Sequence, residues 1–87
     1  MKTIFKYPIS ATHECLIDLP KGAKIISLKV QRGIPCLWAI VDTDAEIEKR
    51  KFMTYGTGHE LPVNPGTFIG TFLVNDFFVY HVFEVIS

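Results

Sequence analysis

The stretch Tyr55-Gly56-Thr57-Gly58-His59-Glu60-Leu61-Pro62 holds the most suggestive chemistry in the chain. Two glycines flanking a threonine free the backbone to turn sharply, so that successive N–H groups can converge on an anion as a nest. Thr57 adds a hydroxyl. His59 adds a ring N–H, and a positive charge once protonated. Arg50 and Lys51, read as the start of the preceding strand, can bring charge to a phosphate. Tyr55 and Trp38 offer flat, amphipathic faces on which a base can stack. Together Trp38, Arg50, Tyr55, Gly56, Thr57, Gly58 and His59 form the candidate site for a phosphate-bearing small molecule. The plainer reading also stands: Gly56 and Gly58 shape a turn, and His59 packs on it. The G-T-G spacing is not G-x-G-x-x-G, and no helix follows to lend its dipole.

Catalysis has weaker support, and the chain reads as a non-enzyme that needs no cofactor. Its serines, Ser10, Ser27 and Ser87, form no nucleophile elbow. His13 and Cys15 lie two residues apart with no orienting third group in view. His59 with Glu60 as a general acid–base pair is the remaining enzymatic reading. A metal site is not expected, because His13, His59 and His81 are far apart and no C-x-x-C spacing occurs. Cys15 and Cys36 fall on separate predicted strands and read as reduced thiols. Trp38, alone in an apolar strand, reads more readily as core. His81 reads as a hydrogen-bonded strand histidine on the face opposite Tyr80 and Val82.

The elements that must position these residues are strands. In 87 residues the chain has 10 Ile, 7 Val, 7 Thr and 11 aromatics against 4 Ala and 6 Leu. Such side chains suit a pleated surface and lose rotamer freedom in helices. Alternation and turn residues predict strands over 2–7, 12–19, 24–31, 34–42, 51–55, 67–74 and 77–86. Pro20-Lys21-Gly22, Arg32-Gly33 and Asn75-Asp76 mark turns, the last read as a two-residue hairpin loop. The charged segment 42–51 reads as a solvated connection with at most one helical turn. The expected fold is one all-β domain over 1–87: a meander of hairpins closing as a small antiparallel barrel or a two-sheet sandwich of six or seven strands.

A formal net charge of zero argues against binding a nucleic-acid polymer through a basic face. No apolar run reaches the roughly 18 residues of a membrane-spanning helix. Lys6 interrupts the N-terminal apolar residues, so no signal peptide is expected. In the last strand Phe77, Val79, His81 and Phe83 share one face; Phe78, Tyr80, Val82 and Glu84 share the other. Apolar residues on both faces predict a subunit interface and hence a homo-oligomer.

The strings IPCLWAIVD (34–42), EKRKFMTYGTGHELP (48–62), PGTFIGTF (65–72) and FVYHVFE (78–84), with the opening KTIFKY, resemble a family of short phage and prophage proteins of unknown function. The likeness runs through nearly the whole chain, and YGTGH and GTFIGTF are its most specific blocks. It implies an origin, the cytoplasm of a bacterial host, and not a mechanism. In that setting the expected function is sequestration without catalysis: an oligomer withholds a nucleotide-derived immune signal, a cyclic nucleotide or an ADP-ribose-type molecule, from its receptor. The alternative is a protein–protein module, either an inhibitor of a host protein or a minor virion component, acting through the apolar face at 77–83.

Overall fold

The computed structural model describes residues 1–10 and 14–85. The readings of His13, of a strand beginning at Thr12 and of a strand reaching Ile86 fall outside the described residues. Seven strands form in chain order: β1 (Lys2–Pro8), β2 (Glu14–Pro20), β3 (Lys24–Gln31), β4 (Ile34–Asp42), β5 (Ile47–Gly56), β6 (Thr67–Val74) and β7 (Phe78–Val85). Among the described residues there is no helix, and so none long and apolar enough to cross a membrane.

The strands pair antiparallel in two sheets, ordered β1-β4-β3 and β2-β5-β7-β6. The sheets stay separate, so the fold is a sandwich and not a barrel. The expected meander is corrected. Only β3–β4 and β6–β7 are hairpins between consecutive strands, while β1 pairs with β4, β2 with β5 and β5 with β7. Each strand has one face to bury, and chain that crosses between sheets buries these faces against each other. The shared core takes Ile17 and Leu19 from β2, Leu37 and Val41 from β4, Phe52 from β5 and Val82 from β7. Full burial of such side chains stabilises by about 1.5–3 kcal/mol each.

The strand expected at 51–55 begins at Ile47 instead. The charged run 48–51 does not mark a connection, because its side chains divide between the two faces of the strand. Lys49 and Lys51 point outward and pair with Asp18 and Glu14 of β2, at 3.3 and 3.2 Å. Cross-strand pairs of opposite charge support a strand. The connection itself shrinks to a turn at Asp42, whose carboxylate accepts from the Asp44 N–H at 3.0 Å.

Two turns follow their residue types. Arg32 and Gly33 have φ of 52° and 78°, and Asn75 and Asp76 have φ of 54° and 53°, as a primed hairpin turn requires. The β6–β7 loop is one residue longer than expected. Phe77 follows the turn, and Val74 pairs with Phe78. β7 is also not an edge strand, since β5 and β6 flank it.

Candidate functional site

Tyr55, near the end of β5, lies opposite His81 in β7, and His81 lies opposite Thr71 in β6. Strand alternation sends all three side chains to the outer face of the four-stranded sheet. Phe83 shares that face and meets Tyr55 and Phe68 edge to face, at centroid distances of 6.0 and 5.4 Å. After Gly56 the chain turns back over this face. The His59 N–H donates to the Gly56 carbonyl at 3.0 Å, and Gly58 takes φ +87°, the position that a type II turn reserves for glycine.

The turn is latched to the sheet. Thr57 Oγ1 lies 2.9 Å from His81 Nε2 and donates to the Val79 carbonyl at 3.3 Å. The other ring nitrogen of His81 lies 3.1 Å from Thr71 Oγ1. Both ring nitrogens of His81 are thereby engaged by threonine hydroxyls, and the donor and acceptor roles follow the ring's tautomer. The expectation of a hydrogen-bonded strand histidine facing away from Tyr80 and Val82 agrees with this geometry. Two cavities of about 310 Å³ each adjoin the turn. One is walled by Tyr55, Leu61, Phe68, His81 and Phe83, and the other by Phe77, Phe78, Val79 and Tyr80. Gly56, Thr57 and His59 line both.

The backbone nest expected at 56–59 is corrected, because the protein itself fills most of it. The Gly56 N–H donates to His59 Nδ1 at 3.3 Å, the Thr57 N–H to the Val79 carbonyl at 3.1 Å, and the His59 N–H to Gly56. The Gly58 N–H alone among these has no partner among the described residues. An Nδ1 that accepts a hydrogen bond carries no proton, so neutral His59 carries its proton on Nε2. The turn therefore keeps two donors for a ligand, the Gly58 N–H and the His59 Nε2–H, instead of a ring of amides.

Five of the seven candidate residues, Tyr55, Gly56, Thr57, Gly58 and His59, come together. Trp38 and Arg50 do not join them. Arg50 is the fourth residue of β5, and its odd offset from Tyr55 puts it on the inner face. There its guanidinium grips Glu84, Nε to Oε2 at 2.5 Å and Nη2 to Oε1 at 2.7 Å, and Nη1 donates to the Ala23 carbonyl at 2.6 Å. The bond to Glu84 holds the guanidinium above its ordinary range. Arg50 is thus neither the start of its strand nor placed to bring its charge to a phosphate at the turn.

Trp38 belongs to the other sheet and is corrected as a core residue. Leu37, Ala39 and Val41 take the inner positions of β4, so Trp38 faces outward, half-buried in a groove of about 260 Å³ with Ile4, Ile26 and Lys29. His81, Thr71, Phe68 and Phe83 are the site residues that sequence reading did not assign. Only the observed register of the β6–β7 hairpin, with its three-residue loop, places Thr71 beside His81.

Cys15 and Cys36 are free thiols on different sheets. Among the described residues no three potential ligands gather for a metal, and Glu60 makes no hydrogen bond to His59. The arrangement can enclose a planar group between aromatic walls and offer it a few directed donors. No curated protein and no solved structure matches the chain. A family model for a domain of unknown function, DUF7352, matches residues 1–87, and the chain belongs to that family.

Proposed function

We propose that this protein binds, without altering it, a small molecule that carries planar rings and a phosphate, at the 56–59 turn. One observation carries the reading: two aromatic-walled cavities of about 310 Å³ adjoin at a turn that keeps two unspent donors. A ligand with two bases and a phosphate linker suits that division, each base against one aromatic wall and the linker at Gly58 and His59. Mostly apolar walls with a few directed polar groups are the usual make-up of a small-molecule site. The reading is one of holding and not of turnover. With the resemblance to short phage and prophage proteins, this becomes sequestration of a nucleotide-derived immune signal in a bacterial host cytoplasm.

Calorimetry against cyclic dinucleotides, cyclic ADP-ribose isomers and mononucleotides tests it. Saturable heat with one class, lost in Tyr55→Ala and Phe83→Ala, is the expected result. Heat-denaturing the complex returns the ligand chemically unchanged if the protein sequesters it. Absence of heat and of any melting shift across the panel defeats the reading. The second reading is then favoured, a protein-docking face, because Leu16, Phe68 and Leu73 stand 53, 56 and 47 % exposed on the outer face of the same sheet.

A further inference from the structure

The half-buried ion pair of Arg50 and Glu84 lies in a cleft of about 430 Å³ where the edge of β3 meets the edge of β6. Three observations single this place out. Both strands bulge here: the β3 register slips between Ile25 and Ser27, and the β6 register between Phe68 and Gly70. Bulges re-aim side chains and gather beside functional sites. The unpaired residues, Ile26 and Ile69, both line the cleft.

The second observation is a surplus of donors. A guanidinium has five N–H groups. Glu84 takes two and the Ala23 carbonyl takes one, which leaves one each on Nη1 and Nη2. Lys24, Ser27 and Thr67 also line the cleft, and none has a side-chain hydrogen bond among the described residues. Among the described residues Glu84 is the only acid in the lining, and Arg50 already occupies both of its oxygens. Glu48, two residues from Arg50 on the same face of β5, also acts on its guanidinium, so the surplus of the cleft lies in unspent donors and not in net charge.

The third observation is the cost of the pair. Both side chains are 18 % exposed. An apolar pair of similar volume commonly serves the fold as well as a desolvated ion pair does. From the two bulges and the surplus donors we infer that the cleft is a second ligand site, for an organic anion. The carboxylate or phosphate sits against Lys24 and the spare Arg50 N–H groups, with Ser27 and Thr67 as further donors. The apolar body lies on Ile26, Phe68 and Ile69. Phe68 also borders the cavity at Tyr55, so the two sites are neighbours but present different donors.

The test is an amide-resolved NMR titration of the full chain with phenyl phosphate, with benzyl alcohol as the neutral control, at constant ionic strength. The expected result is saturable shifts of amides in 23–27 and 67–69 with phenyl phosphate and not with benzyl alcohol. Lys24→Ala and the pair Ser27→Ala, Thr67→Val, all exposed or edge positions, weaken that binding about five-fold each. Equal shifts with benzyl alcohol, an affinity unchanged in these variants, or no saturation would overturn the inference. Shifts confined to 56–59 would do so too, while leaving the reading of the turn intact.

Discussion

Replacing Arg50 by alanine separates a surface arginine from a structural one. An arginine at an exposed strand start would cost almost nothing on removal. In this fold Arg50→Ala strips Glu84 of two charge-assisted hydrogen bonds, at 2.5 and 2.7 Å, and the Ala23 carbonyl of one at 2.6 Å. Breaking a buried ion pair costs roughly 3–5 kcal/mol because one charge is left uncompensated. Both side chains here are 18 % exposed and the cleft is open to water, so some hydration returns to the carboxylate. The expected loss is therefore about 2–4 kcal/mol. Domains are stable by about 0.05–0.15 kcal/mol per residue, which gives this chain about 4–13 kcal/mol in all. The variant should melt well below the parent, by about 4–8 °C for each kcal/mol lost. Urea unfolding followed by tryptophan fluorescence measures it. The double variant Arg50→Met, Glu84→Leu should cost less than Arg50→Ala alone, since no charge is left behind. A loss under about 1 kcal/mol in the single variant, or a double variant worse than it, would refute the reasoning.

Two glycines should respond in opposite ways. At Gly66, with φ +103°, a Cβ would run into the Glu84 carbonyl oxygen, and Gly66→Ala should cost at least ~2 kcal/mol by urea melt. At Gly56 the Cβ would meet only the His59 ring, at 2.9 Å; Gly56→Ala should stay within about 1 kcal/mol of the parent yet displace His59 and weaken ligand binding. Cys15 and Cys36 should both alkylate in denatured, unoxidised protein, and mass spectrometry showing no label would contradict two free thiols. Light scattering at micromolar concentration should give more than one subunit mass, with an interface above about 1,000 Å²; a monomer mass sinks the oligomer. In a chain that starts at Met1, Asp44 and Asp42 hold the terminal ammonium above its ordinary 8.0. The Asp44 backbone N–H and that ammonium in turn hold the Asp42 carboxyl below its ordinary 3.8. The contribution of this clasp is full between those two values. It is lost as pH falls through the lowered carboxyl value or rises through the raised amine value. Acetylating the N-terminus should flatten the alkaline side of the stability profile; an unchanged profile there counts against the clasp.

All-β class, seven strands and the turns at Arg32-Gly33 and Asn75-Asp76 were legible in the sequence, because alternation and positive-φ residues act within a few neighbours. So was the YGTGH turn, since only glycine accepts the backbone conformation found at Gly58 without strain. The position of Arg50 was half legible. Its odd offset from Tyr55 puts the two on opposite faces, but only once the strand is known to start at Ile47, and the charges at 48–51 hid that. The partners of the turn were not legible. A two-residue β6–β7 loop would set Thr71 beside Tyr80; the extra residue Phe77 shifts the register by one and brings Thr71 to His81. Trp38 shows the same limit at longer range. Local pattern gives it a face of β4, but which sheet β4 joins depends on pairings with β1 and β3 and on the crossing of the chain between layers. Those pairings are chosen by which apolar faces bury each other, a property of the whole chain that no short stretch of residues contains.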